Sequence, residues 1–305
     1  VFTYIMNDTL KTIKEIRQSK EAKLKKLGGD VHYPTLDQIK AEDTEEKPFL
    51  LFLIRDDKGT EVRKLKTKVK TGINRLVWDF RYAPSVPLRL KPRVIGRYSG
   101  SDKGPIAVPG KYSVEMYKSH NGVISKLTEP VSFEIKPLNN LSLPEINKEE
   151  ALAFQQKISD LQRAVRGAEK ILSDVDTRVK YIKVAVESVP QLPLSLMPKV
   201  KKAEDNINTL EIAFYGESSL SSREFEVKNS LSDRIETAIW STLSNSSTAT
   251  QTSIRLYQEA GQEFEPLLNQ LKEVITIVEE MEKELDKYKA PYTPGRIPLP
   301  DWKME

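Results

Sequence analysis

The chain has 305 residues, 48 of them basic and 44 acidic, for a formal net charge of +4. That near-balance gives no electrostatic case for a nucleic-acid partner. The absence of cysteine removes disulfides and thiolate chemistry, and two histidines, His32 and His120, leave little for a histidine-rich zinc site.

Residues 1–6 are β-prone and read as the middle of a strand rather than a signal peptide, so the natural protein is expected to continue upstream. Asp8 then stands as the cap of a helix over residues 8–27, closed by Gly28-Gly29. Leu10, Ile13, Ile16, Leu24 and Leu27 give this helix a thin apolar stripe on a strongly basic surface. A basic amphipathic helix can bind an anionic surface. With an acidic stretch at 42–46 close behind, the reading taken is a solvated helix packed by one face on the sandwich.

After Pro48 the period changes to two. Residues 49–55 and 61–66 flank the turn Asp56-Asp57-Lys58-Gly59. Residues 73–81 place Leu76, Trp78 and Phe80 on one face, and residues 111–118 do the same with Tyr112, Val114 and Met116. His120-Asn121-Gly122 reads as a turn, after which Val131, Phe133 and Ile135 alternate with polar residues. Short strands separated by turn signals predict an antiparallel β-sandwich. Residues 49–54 are apolar throughout, so both faces of that strand need cover, the outer one from the N-terminal helix or the helices downstream. This is the longest apolar run and is too short to span a bilayer, so no transmembrane segment is expected. The connection 83–108 is rich in Pro, Gly and Arg; Arg89, Arg93, Arg97 and Tyr98 are its candidate interaction residues.

From Asn147-Lys148-Glu149-Glu150, which has the cap and acid of a capping box, the pattern becomes heptad. Phe154, Ile158, Leu161, Val165, Ala168, Leu172, Val175, Val179, Ile182 and Val186 recur at steps of four and three, a coiled-coil type of seam that ends at Pro190. A second helix opens at Pro198 and closes at Gly216. A third is expected over 222–244, with Phe225, Leu231, Ile235, Ala238 and Ile239 inward. The last carries Ala260, Phe264, Leu267, Leu271, Val274, Val278, Met281 and Leu285, with Pro266 expected to kink it. Four helices with short connections predict an antiparallel, up-down-up-down four-helix bundle over 145–290. Trp78 and Trp240 read as core. The Pro-rich tail 291–305 is expected to run extended over the surface, offering Trp302 for docking.

The chain shows no Gly-x-Ser-x-Gly elbow, P-loop, dinucleotide fingerprint or Glu-x-x-His pair, and both histidines fall in turns or loops that would not hold an imidazole rigid. No catalytic residue, metal ligand or cofactor is assigned, and the chain itself is expected not to be an enzyme.

Several stretches together resemble a known family. They include Gly72-Ile73-Asn74-Arg75-Leu76-Val77-Trp78-Asp79-Phe80-Arg81, Val108-Pro109-Gly110-Lys111-Tyr112 and Phe133-Glu134-Ile135-Lys136-Pro137. Phe2-Thr3-Tyr4, Leu51-Phe52-Leu53-Ile54-Arg55-Asp56, Phe154-Gln155, Leu161-Gln162-Arg163-Ala164, Thr248-Ala249-Thr250-Gln251 and Thr293-Pro294-Gly295-Arg296-Ile297-Pro298 extend the likeness over nearly the whole chain. They resemble the C-terminal region of bacterial BNR-repeat, sortilin-type β-propeller proteins, often labelled glycosyl hydrolases, whose sandwich is an Ig-like domain of the flagellar hook-capping type. The resemblance implies a multidomain α+β chain: an Ig-like β-sandwich over 1–138 with the helix 8–27 inserted, then the bundle, then the tail. It implies an upstream β-propeller, whose repeats are absent here, and a periplasmic or extracellular setting. Any hydrolase label belongs to that propeller. The role implied is a non-catalytic accessory or scaffold module that packs against the propeller or another protein. The alternatives are a region completing a propeller-borne glycoside hydrolase site, with the 83–108 connection across its mouth, or a carbohydrate-binding sandwich.

Overall fold

The computed structural model describes residues 1–7, 10–90, 103–137, 147–243 and 247–297. The chain is mixed α+β and divides into two compact units: Val1–Ala83 with Pro105–Pro144, and Pro84–Gly104 with Glu145–Glu305. Seven helices and two antiparallel sheets occur among the described residues.

In the first unit β1 (Phe2–Met6) pairs only with β4 (Gly72–Leu76). A five-stranded sheet holds β2 (Phe49–Asp56), β3 (Glu61–Lys68), β5 (Gly110–His120), β6 (Val123–Lys126) and β7 (Val131–Ile135). Long β5 is its spine. It pairs β2 along one side, and on the other carries β7 at its start and β6 at its end. The turns form where the residues demand it. Asp56 Oδ1 accepts the backbone N–H groups of Lys58 and Thr60, and Gly59 takes φ +81°. Asn121 and Gly122 both have positive φ, the requirement of a tight two-residue hairpin.

The two sheets face each other across one apolar layer. Phe2 meets Phe133 edge-on at 5.4 Å and Tyr4 meets Phe52 at 5.0 Å. Ile54, Val62, Trp78 and Tyr112 form one end of this layer, and Met6, Leu50, Phe52 and Met116 the other; Leu65 and Val114 touch both.

The strand expected over 73–81 stops at Leu76. Phe80 adopts φ +54°, which breaks the alternation, and its ring is nearly half exposed rather than in line with Leu76 and Trp78. Residues 80–82 instead pair with 105–107: Phe80 O accepts from Ala107 N–H and Tyr82 N–H donates to Pro105 O. The doubly apolar strand also finds its cover differently. Strand register places Lys66 and Tyr117 beside Leu51, and Lys64 and Glu115 beside Leu53, on the outer side. Within this unit the stems of these long neighbours bury Leu53. The N-terminal helix, α1 (Ile13–Lys26), has no buried residue. It is shorter than expected and is capped by Thr12, in a reciprocal box with Glu15, and not by Asp8, which lies outside the described residues. A second helix, α2 (Leu36–Thr44), was not expected. Thr35 and Gln38 form its capping box.

The second unit is built on α3 (Lys148–Ser188), capped by Asn147, and α7 (Gln251–Lys287), capped by Thr250. Between them come α4 (Met197–Tyr215), the short α5 (Ser218–Ser221) and α6 (Leu231–Leu243). The heptad residues from Val165 to Val186 and from Ala260 to Leu285 meet Val200, Ala203, Ile207, Leu210, Phe214, Leu231 and Ile235 in one continuous core. α7 runs unbroken through Pro266. The third long helix begins nine residues later than expected: Ser230 and Asp233 form the N-terminal hydrogen bonds, and the preceding Glu224 sits at φ +62°. Phe225 is therefore exposed. Trp240 is exposed too, at 71%, because it lies about 200° around the helix from buried Ala238.

The tail does not simply run extended over the surface. Ala290 and Thr293 are buried, and Gly295 turns at φ +96° above the paired side chains of Arg178 and Glu282. Arg296 fastens the turn to Asp286 at 2.7 Å and to the carbonyls of Ala290 and Pro291.

Candidate interaction surfaces

The β1–β4 ribbon has a second face. Alternation turns Phe2, Tyr4, Met6 and Leu76 to the core, so Val1, Thr3, Ile5, Ile73, Arg75 and Val77 point out. Ile5 pairs with Ile73 and Thr3 with Arg75; Val1 and Val77 follow at the end of the register. The four apolar members are between 62% and 73% exposed. Each of the two strands also has one edge without a partner among the described strands. An open edge beside an apolar face is a template for another chain. The β3 edge of the opposite sheet is guarded: β3 turns Lys64, Lys66 and Lys68 outward, and the Lys66 ammonium lies 3.7 Å from the centre of the Phe49 ring.

On that guarded face lies a buried carboxylate. Glu115 accepts from Arg55 Nη1 at 2.7 Å and from the Tyr117 hydroxyl at 2.9 Å, and Lys126 Nζ lies 3.2 Å away. Burial, the largest influence, pushes the Glu115 pKa up. The hydrogen bonds of Tyr117 and Lys126 and the charges of Arg55 and Lys126 outweigh it and hold Glu115 below the usual carboxylate range. All its neighbours already serve to keep it charged, which is a structural task.

The helical hairpin α1–α2 is tied down by ions. Arg17 grips Glu42 with two hydrogen bonds, at 2.5 and 2.8 Å, and also bonds Glu21. Glu45 accepts the Ile13 N–H at 2.6 Å through one oxygen and meets His120 Nε2 at 3.1 Å through the other. His120 is thus held at the end of β5, contrary to the expectation that its turn would leave it loose. His32 is exposed.

Among the described residues, no group of three or more His, Cys, Asp or Glu is placed to hold a metal ion, and no helix is long and apolar enough to cross a membrane. Of the interaction residues expected from sequence, Arg89 is exposed between fully exposed Leu88 and Leu90. Arg93, Arg97, Tyr98 and Trp302 lie outside the described residues. The ribbon's own signal was in the sequence: residues 1–6 and 73–77 carry apolar side chains on both alternating faces, which a strand with one solvated face does not need.

Comparison of the chain with protein-family models, with curated proteins and with solved structures finds no match.

Proposed function

We propose that the chain is a non-catalytic accessory module of a larger exported β-propeller protein, an Ig-like β-sandwich followed by a four-helix bundle that packs against the propeller or another protein. The observation that carries this reading is the unguarded apolar face and open edges of the β1–β4 ribbon. The Ig-like reading draws support from Tyr112. At the start of a long central strand, its hydroxyl donates to Val108 O, four residues upstream, at 2.6 Å. Burial, with smaller help from Tyr82, Asp56 and Asp57, pushes this phenol up to about 12, so it stays a proton donor at any physiological pH. The carbohydrate-binding alternative loses its leading platform, because Trp78 is 3% exposed and its indole N–H is spent on Arg81 O.

The test is calorimetric titration of the chain with a β-propeller of the family it resembles, made as a separate protein. The chain is expected to bind, and Ile73→Asp or Val77→Asp to weaken binding by roughly tenfold or more, as expected for a central apolar contact. Turnover of a glycoside by the chain alone, or a propeller that ignores it, overturns the reading.

A further inference from the structure

The ribbon is not the one apolar surface without a partner. Helix α1 is held helical by its capping box, by the Glu45 carboxylate on its first N–H and by Arg17 on Glu42. Burial contributes little, since the helix has no buried residue. A free helix of this length would be marginal in water, so these devices keep it formed in advance. The side turned to α2 is polar, carrying Arg17 and Glu21. Its apolar side chains go elsewhere. Ile13, Ile16, Leu24 and the cap residue Leu27 fall within an arc of roughly 80° around the helix, and they are between 43% and 84% exposed.

The charges on this stripe specify what could cover it. Lys20 projects at the centre of the apolar arc and Lys23 at its border, and residues 11–26 hold seven basic side chains against two acidic ones. Among the described residues no carboxylate lies within ion-pair distance of Lys20 or Lys23, whereas Arg17 takes two. We infer that α1 is a preformed docking helix for a partner protein, and that the partner offers an acidic amphipathic helix. The partner's apolar ridge covers Ile13, Ile16, Leu24 and Leu27, and its carboxylates meet Lys20 and Lys23. Such a partner satisfies both halves of the stripe at once: burial of aliphatic surface and pairing of a lysine inside it. A bilayer fits less well. Lys20 would sit at the deepest point of insertion, where an ammonium is costly, and the arc has no aromatic residue to anchor in the headgroup layer.

The probe is a synthetic, fluorescein-labelled helical peptide with leucines along one face and glutamates on the rest. A peptide of the same composition, with the leucines spread around the helix, separates docking from charge alone. Vesicles of phosphatidylcholine mixed with phosphatidylglycerol separate it from membrane binding. By fluorescence anisotropy the full chain should bind the amphipathic peptide roughly tenfold more tightly than the scrambled one. Lys20→Glu with Lys23→Glu, and separately Ile16→Ser with Leu24→Ser, should each weaken binding by about tenfold. All four positions are exposed, so circular dichroism and thermal melting should be unchanged in both variants. Equal binding of the two peptides, no binding of either, unaffected variants, or tighter association with the vesicles would each overturn the proposal. Val77→Asp should leave peptide binding as it is, so this inference and the ribbon reading can fail separately.

Discussion

Replacing Trp78 with alanine tests the core of the first unit most directly. The indole lies between the sheets, with ring centres 5.4 Å from Phe80, 5.7 Å from Tyr112 and 6.1 Å from Phe133. Its N–H donates to Arg81 O at 3.0 Å, closing the turn after β4. Deleting a large buried aromatic costs about 3–5 kcal/mol. The lost edge-on contacts and the lost hydrogen bond, roughly 1 kcal/mol each, place the expected cost in the upper half of that range. Trp78→Phe keeps a ring but removes the N–H, and should cost about 1–2 kcal/mol. A global melt is the wrong assay, since a chain of two units need not unfold in one step. Hydrogen exchange at the amides of β2 and β5 reads the sheet unit itself. Slow-exchanging amides there should lose protection by amounts matching these figures, with Trp78→Ala well beyond Trp78→Phe. Unchanged protection, or equal losses for the two variants, would show that the indole does not hold the layer together.

Two further outcomes follow from the tail and from the buried acid. In Gly295→Ala the new methyl carbon would stand 2.7 Å from Arg178 Nε and 2.9 Å from Glu282 Oε1, at a φ that L-residues avoid. The backbone alone costs about 1–2 kcal/mol, and limited proteolysis should cut residues 290–297 faster while α3 stays resistant. Glu115 has a depressed pKa in the folded chain, so its contribution is full above the ordinary carboxylate range and is lost as pH falls through the folded value. Acid titration of β5 protection should steepen below about pH 4 in the native chain and flatten in Glu115→Gln; identical acid limbs would remove Glu115 from the account.

The helical half was the more legible because one rule governs it. A seam of steps of four and three fixes which side of α3 and α7 is buried, and Pro198 and Gly216 mark the ends of α4 by backbone chemistry alone. Two expectations there fail on geometry: Phe225 lies before the helix that was to carry it inward, and Trp240, expected in the core, does not keep step with Leu231, Ile235 and Ala238. In the sheet unit, strands and turns were readable from alternation and from Asp56, Gly59, Asn121 and Gly122. Trp78 was placed correctly for a partly wrong reason, since no strand carries it. The helix α2 escaped because it has no buried residue and thus no apolar period; only the caps, Thr35 and Gln38, announce it. The candidate surfaces were missed by a different route. The long Arg-rich connection reads as an interaction loop from its composition alone, whereas the ribbon and α1 each gather several exposed apolar side chains on one face of a regular element, which only the strand register and the helix geometry bring together.

That placement bears on function through the contrast between two sheet edges made by the same chain. β3 has two features that discourage a further strand: lysines at alternate positions, one of them laid over Phe49, and a bulge where Ile54 and Arg55 shift register against it. β1 and β4 have none of these among their described residues. A chain with 48 basic residues to place puts a single arginine, Arg75, on the outer face of the ribbon, opposite Thr3 and otherwise among valine and isoleucine. If exposure there had no use, the guarding that protects β3 would be needed more on a two-stranded ribbon, whose strands each have an open edge. The cost of leaving it bare is aggregation, and that cost disappears when the face is covered. The apolar outer face is thus better explained as half of an interface than as a tolerated defect, and the same logic makes the ion-braced, unburied α1 a second half-interface of opposite character, one in which charge selects the partner and apolar contact holds it.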